Sequence, residues 1–317
     1  MVAALKKYIL KRLLQLIPVL FGVTILVYML MYISPGDPAQ KKLTAGGVAV
    51  KEEVLEKTRE EMGLNRSFLA QYGDWLFHAL QGDLGTSFKD GLPVSQKLGK
   101  GIKYTLILSL NSFLLASLIS VPVGVLAAIY QNRFIDYLIR FLSFFGNSLP
   151  NFLLSVLLMY FFCIKIKMFP VMAKQSLKGL FLPVTALAIP LASRFIRQIR
   201  AEVLEQLHQP YVTGSRSRGV KESFILFKNV LHNSMISILT IFGLSVGSLM
   251  AGSVVVETIF QWPGIGKLVM DSISARDYPV IQGFVIFMAF VYVGVNLLTD
   301  ISYHILDPRI DEEREVD

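Results

Sequence analysis

The residues of this chain that could do chemistry lie in a few short blocks. One is Tyr211-Val212-Thr213-Gly214-Ser215-Arg216-Ser217-Arg218-Gly219, where small side chains alternate with arginines. Small side chains let a short helix sit deep in a groove of a partner, and Gly219 supplies the positive φ that ends such a helix. An ordinary basic loop accounts for the same residues equally well. A second block runs Glu257-Thr258-Ile259-Phe260-Gln261-Trp262-Pro263-Gly264-Ile265-Gly266 and continues at Arg276-Asp277-Tyr278-Pro279. Its Trp262-Pro263-Gly264 reads as a turn with an aromatic anchor, a place where Trp favours a membrane interface. Glu257 and Asp277 are read as pairing locally or capping helices.

These blocks offer recognition and movement rather than catalysis. No G-x-x-x-x-G-K-[ST] loop exists: Gly266-Lys267 has Gln261 where the first glycine should stand. The chain is therefore not expected to hydrolyse nucleotide or to bind a cofactor itself. The four histidines, His78, His208, His232 and His304, are scattered, with no metal-site spacing. No nucleophile-elbow pattern occurs. Cys163, the one cysteine, has no partner within the chain for a disulfide. We expect a protein that is not an enzyme.

The elements that position these blocks are apolar. Of the 317 residues 53% are hydrophobic and only 17% charged, with mean hydropathy +0.55. Disorder is excluded, and a soluble enzyme is a poor fit. A span needs about 20 mostly apolar residues, and six segments approach that: 13–33, 104–130, 141–164, 179–199, 235–256 and 280–298. The fourth holds Pro183 and Pro190, which neighbouring helices can accommodate in a membrane. The first follows a basic start, but its length and the absence of a small-x-small cleavage site make it a retained span. Gly243, Gly247 and Gly252 in the fifth permit close helix approach.

Orientation follows the basic residues. Lys6, Lys7, Lys11 and Arg12 place the N-terminus inside, and six crossings return the C-terminus there. Arg133, Arg140 and the basic loop 200–233 fall inside as well. The lysines 165, 167, 174 and 178 disagree. The net charge of +8 is then a feature of membrane topology, with no Lys/Arg run that suits nucleic acid.

Three regions follow. Residues 1–103 hold the first span and an external helical segment. Within it 51–61 reads as a solvated helix ending at Gly63, 68–80 as an amphipathic helix, and Gly82-Asp83-Leu84-Gly85 as its break. Residues 104–306 form a five-helix core with the inner loop 200–233. Residues 307–317 are an acidic cytoplasmic tail. The cores of the spans hold no ionisable group. Asn111, Asn147 and Asn296 are read as glue between helices, with Asp300 at the inner edge of the last span. A proton-coupled carrier is hard to build from this inventory, whereas a sodium-coupled one could use backbone carbonyls. If transport is driven, the energy comes from another subunit.

Several blocks carry a resemblance. The loop ending Ser215-Arg216-Ser217-Arg218-Gly219 resembles the EAA-type loop of permease subunits of ATP-binding-cassette importers, with serines for two alanines and Arg218 for a lysine. His232-Asn233-Ser234-Met235-Ile236 continues it, with Ser237 in place of a proline. Ser34-Pro35-Gly36-Asp37-Pro38, Gly82-Asp83-Leu84-Gly85-Thr86-Ser87, the Glu257–Gly266 block, Arg276-Asp277-Tyr278-Pro279 and Asp307-Pro308-Arg309 are similar to the first permease subunit of the dipeptide, oligopeptide and nickel branch. The likeness runs along nearly the whole chain.

The resemblance implies an all-α type I importer permease of six transmembrane helices in the cell membrane. Its implied partners are the lipid bilayer, a second homologous permease, two ATPase subunits that use ATP and Mg, and an extracytoplasmic substrate-binding protein. Tyr211, Ser215, Arg216, Ser217, Arg218 and Gly219 would couple to the ATPases. Glu257, Trp262, Pro263, Gly264, Gly266 and Asp277 would form an external gate or a binding-protein contact. Asn296, Asp300, Asp307 and Arg309 would be structural. The implied cargo is a di- or oligopeptide; the alternatives are nickel or a metallophore, and a self-sufficient secondary carrier.

Overall fold

The computed structural model describes residues 2–44, 51–173 and 176–306. Among those residues the regular elements are helices, and one isolated antiparallel bridge joins Thr86 and Pro93. In chain order the helices are α1 (Val2–Ile33), α2 (Pro38–Thr44), α3 (Glu52–Glu61), α4 (Phe68–Leu80), α5 (Val94–Ile129), α6 (Phe134–Ser148) and α7 (Asn151–Leu158). Then come α8 (Leu177–Leu207), α9 (Pro210–Ser217), α10 (Glu222–Phe224), α11 (Leu231–Phe260), α12 (Ile265–Ala275) and α13 (Tyr278–Leu306). π-helical turns, Met159–Lys165 and Ile225–Val230, extend α7 and precede α11.

Three helical stretches are long and apolar enough to cross a membrane: Val94–Ile129, Leu177–Leu207 and Glu222–Ser245. Two bent pairs, Ile17–Ile33 with Pro38–Thr44 and Phe134–Ser148 with Asn151–Lys165, bring the number among the described residues to as many as five. Tyr278–Gly294 is a shorter apolar helix. The third segment read from the sequence as one continuous span is thus broken, and its two halves meet at 98°. The cause is local. Pro150 lacks an N–H and pushes the residue before it out of the helical region, and Leu149 sits at φ −78, ψ 122. By contrast Pro183 and Pro190 lie inside an unbroken α8.

The chain divides into two compact units, Met1–Thr105 with Pro263–Gly294, and Leu106–Trp262 with Val295–Asp317. The sequence reading placed a contiguous region at 1–103; the structure adds Pro263–Gly294 to the first unit. The reason is packing. Val94 and Leu98 of α5 bury against Ile265 and Val280, with Leu84, Phe284 and Phe287 around them. Gly283 lets α13 approach closely, since a Cβ there would lie 2.8 Å from Val94 and 2.9 Å from Leu98. A second cluster joins α1 to α4 through the rings of Phe21, Tyr28, Phe68, Tyr72 and Trp75. The expected amphipathic helix 68–80 is α4, and α3 ends beside Gly63, whose φ is +67.

In the second unit α8 is the buried element, packed on α6, α7 and α11. Phe113, Phe195 and Phe242 meet there edge to face and tilted. Close approach falls to Gly124 against Ile199, and to Gly146, where a Cβ would collide with the Ser193 hydroxyl. Gly252 lies near Asn151, whereas Gly243 borders open space and makes no such approach. Asn111, read as glue between helices, instead donates to the Ile107 carbonyl of its own helix, at 2.7 Å.

Candidate functional site

The block Tyr211–Gly219 folds as α9 and its stop. Gln209 is extended and Pro210 occupies the first helical turn, where its missing N–H costs nothing. The end is a Schellman motif: Gly219 N–H donates to Arg216 O at 2.9 Å and Val220 N–H to Ser215 O at 3.2 Å. Gly219 takes φ +74 as that motif requires. The sequence reading placed a short helix within Tyr211–Gly219, ended by Gly219; the structure starts it at Pro210 and runs it to Ser217.

One face of α9 is anchored and the other is open. Val212 and Ser215 are buried. The Ser215 hydroxyl returns to the Tyr211 carbonyl at 2.8 Å, so its polar group is satisfied within the helix although it is buried. Tyr211 donates its phenol to Gln206 Oε1 at 3.0 Å and thereby holds α9 to the last turn of α8. Thr213, Gly214, Arg216, Ser217 and Arg218 are exposed. Arg216 is gripped by both oxygens of Glu222, at 2.7 and 3.1 Å, and that pairing raises its pKa above the usual arginine value. Arg218 donates to the Gly214 carbonyl. Gln206 and Glu222 escaped the sequence reading because neither stands in the motif; their signal is only a polar residue a turn away on each side.

A further pair joins α8 to α6. Asp136 at the start of α6 is fully buried and receives Arg200 Nε and Nη2 at 2.6 and 2.7 Å, with the Asn132 N–H at 2.9 Å. Arg200 belongs to the stretch of α8 that leads to α9. The sequence reading counted it only as a topogenic charge.

The second block divides at Trp262. In the second unit α11 stops where Gln261 adopts φ +56, and Trp262 N–H closes on Glu257 O at 2.8 Å. Glu257 is fully buried and Trp262 is 3% exposed. In the first unit Ile265 N–H, at the start of α12, donates to Thr105 Oγ1 at 2.8 Å, so a side chain from α5 caps that helix. Gly264 and Gly266 are buried beside it and Pro263 is half-buried. Asp277 is fully buried and accepts from the Ser87 hydroxyl at 2.5 Å and from Phe88 N–H at 2.8 Å, with Lys97 at 3.7 Å. Glu257, Trp262 and Asp277 therefore present no side chain to a docking protein in this conformation.

The remaining motifs assemble around the same turn. Arg276, at φ +58, donates to the Ser34 carbonyl and hydroxyl at 3.3 and 3.2 Å and to the Pro35 carbonyl. A Cβ on Gly36 would meet that guanidinium at 2.8 Å. Tyr278 donates to Met31 O at 3.0 Å. Asp37 accepts from Ala39 N–H at 2.9 Å and from Arg59 at 2.7 Å. The blocks at 34–38, 82–87 and 276–279 are thus one hydrogen-bonded cluster. The side chains of Asn296 and Asp300, and all of Asp307 and Arg309, lie outside the described residues. Among the described residues no group of three His, Cys, Asp or Glu is placed to hold a metal.

Comparison with known proteins gives the family. Residues 120–312 match the family described as binding-protein-dependent transport system inner membrane component. Residues 5–109 match the N-terminal family of the same membrane components. A glutathione transport system permease protein of Salmonella typhimurium is 37% identical over 303 residues, covering 96% of this chain and 98% of the relative. An oligopeptide transport system permease protein of Bacillus subtilis is 39% identical over 315 residues, covering 96% and 99%. A chain of the MetNI methionine ABC transporter in an inward-facing form shares the fold, with a TM-score of 0.54 and 16% identity over 67% of this chain and 97% of its own. Members are membrane components of transporters and not enzymes. The chain belongs to this family of binding-protein-dependent transport system inner membrane components, the permeases of ATP-binding-cassette importers, and is a multi-pass inner-membrane protein.

Proposed function

We propose that this chain is one of two permeases of an ATP-driven importer of di- or oligopeptides. The observation that carries the reading is α9: a short helix with an anchored face, a glycine stop and an open face of small residues and arginines. Tyr211, Ser215, Arg216, Ser217, Arg218 and Gly219 would seat it in an ATPase subunit. ATP-driven closure of two such subunits would push α9, and α8 would carry the push inward, each nucleotide state favouring one of two packings. ATP and Mg act on those subunits, and this chain binds neither.

The proposal includes six spans with both termini inside, an external helical segment within 1–103, a core over 104–306 and an acidic tail from 307. The block from Glu257 to Gly266, with Asp277, would serve the outer gate by fixing the turns that flank α12. Asn296, Asp300, Asp307 and Arg309 would fix the last span. A second permease completes the pathway and an extracytoplasmic binding protein delivers cargo. Peptide is favoured over nickel because the relatives are named for glutathione and oligopeptide transport.

The test is reconstitution of the assembled complex in liposomes. Peptide uptake that needs ATP and the binding protein supports the reading. Uptake by this chain alone, driven by an ion gradient, overturns it.

A further inference from the structure

The break between α6 and α7 leaves polar groups open. Pro150 has no N–H to give to the Gly146 carbonyl, and as the residue before α7 it supplies no side-chain cap. The first N–H groups of α7 and the last carbonyls of α6 therefore have no helical partner. The side chains at the break are polar as well: Asn147, Ser148 and Asn151. Ser148 and Pro150 are exposed, and Asn147, Leu149 and Asn151 are half-buried. The Ser148 hydroxyl turns back to the Phe144 carbonyl at 2.8 Å. The Asn147 and Asn151 amides have no hydrogen-bond partner among the described residues.

The packing of the second unit gives the depth of this break. A Cβ on Gly146 would lie 3.5 Å from Ile189 and collide with the Ser193 hydroxyl. A Cβ on Gly252 would lie 3.1 Å from Asn151 and 3.9 Å from Leu187. The break is thus level with residues 187–193 of α8. Ile189 stands about 18 Å along the helix from its start at Leu177 and about 16 Å from Arg200, whose pair with Asp136 marks the charged end. In a hydrocarbon core about 30 Å thick, that is close to the middle.

Irregular backbone at that depth is tolerated where protein buries it or where it lines water, and not against acyl chains. Two observations favour water. A protein cover would have to satisfy both amides and the open backbone groups one by one, whereas water satisfies them without design. And Arg194, about a turn and a half from Ile189 on α8, is exposed and has no ion pair among the described residues; an arginine within a span faces water or a partner rather than lipid. We infer that the α6–α7 break lines a water-filled solute pathway at the middle of the membrane, with Asn147, Ser148 and Asn151 as its hydrogen-bonding surface. Amides and hydroxyls both donate and accept, so this surface exchanges hydrogen bonds with water or with a polar solute of either charge. The inference deepens the importer reading above and rests on it for the use of the pathway.

The test uses the complete transporter in liposomes, carrying Asn147→Cys, Ser148→Cys or Asn151→Cys, and a thiol reagent that bears a quaternary ammonium, supplied on both sides. Uptake before labelling shows that each variant has assembled, and the parent's buried Cys163 gives the background. The charged reagent should label Ser148→Cys at least about tenfold faster than the parent, because only water carries it to the thiol. Labelling should then cut ATP-driven uptake by a similar factor. Labelling by an apolar maleimide alone puts the break out of water and overturns the inference. Labelling by neither reagent means that a second permease covers the break, and overturns it as well. So does charged labelling that leaves uptake unchanged. If the charged reagent labels the break but the parent shows no ATP-driven uptake, the importer reading falls and the water-lined break stands. If uptake proceeds and the charged reagent labels none of the three variants, only the inference about the break falls.

Discussion

Arg200 and Asp136, 64 positions apart, meet through two parallel hydrogen bonds of 2.6 and 2.7 Å, with the carboxylate entirely out of solvent. Breaking a buried pair strands one charge, whereas replacing both partners by apolar groups is close to neutral. Arg200→Met is therefore expected to destabilise the assembled protein by about 3 kcal/mol, the low end of the range because the arginine is partly exposed. The double change Asp136→Leu with Arg200→Met should recover most of that loss. Thermal unfolding of the complex, compared across the three variants, checks the non-additivity.

Gly219 holds φ +74, and a Cβ there would meet nothing within 4 Å. The cost of a side chain is then in the backbone alone. Gly219→Ala should cost about 1 kcal/mol and Gly219→Val about 2 kcal/mol, through the left-handed conformation. Because that strain falls on the stop of α9, uptake per ATP hydrolysed should drop before assembly does. Equal losses of assembly and coupling would place the glycine in folding rather than in transmission.

The sequence made the local features legible. Gly219 marks the end of α9 by chemistry that acts within a few residues, whereas the start at Pro210 came only from the structure. The apolar spacing of α4 is equally local. What stayed hidden was pairing at a distance. Nothing beside Asp277 signals that Ser87 and Phe88 will bind it, or that Arg276 will close on Ser34 and Pro35, because buried partners need no sequence proximity. The break at Leu149 and Pro150 was missed for another reason: an apolar run of the right length suggests a span regardless of the direction in which its halves point.

Asp90 makes the first unit sensitive to acid. Burial pushes its carboxyl up, but hydrogen bonds from Lys97 and the Leu92 N–H together hold it below the usual carboxylate value. A depressed carboxyl stabilises the fold above the unfolded pKa of about 3.9 and loses that contribution as pH falls through its folded value. Asp90 is 39% exposed, so screening keeps the effect small. The Val94 N–H, bonded to Gly85 O across this turn at 3.0 Å, should lose exchange protection below about pH 4. Asp90→Asn should remove that pH dependence while lowering protection at neutral pH.

Arg216 offers the sharpest separation between holding α9 together and contacting an ATPase. Its bidentate partner Glu222 is two-thirds exposed, and an exposed pair contributes at most about 1 kcal/mol. Glu222→Gln should therefore leave stability nearly unchanged and release the guanidinium. Arg216→Glu removes the pair and reverses the charge on the open face, so both internal and external roles predict lost uptake. The swap Arg216→Glu with Glu222→Arg distinguishes them. It restores the internal ion pair but leaves an acidic residue where the proposed contact needs a base. We expect uptake to stay at least tenfold below wild type in the swap. Recovery to near wild-type uptake would assign Arg216 to the integrity of the loop and leave the ATPase contact to other exposed residues of α9.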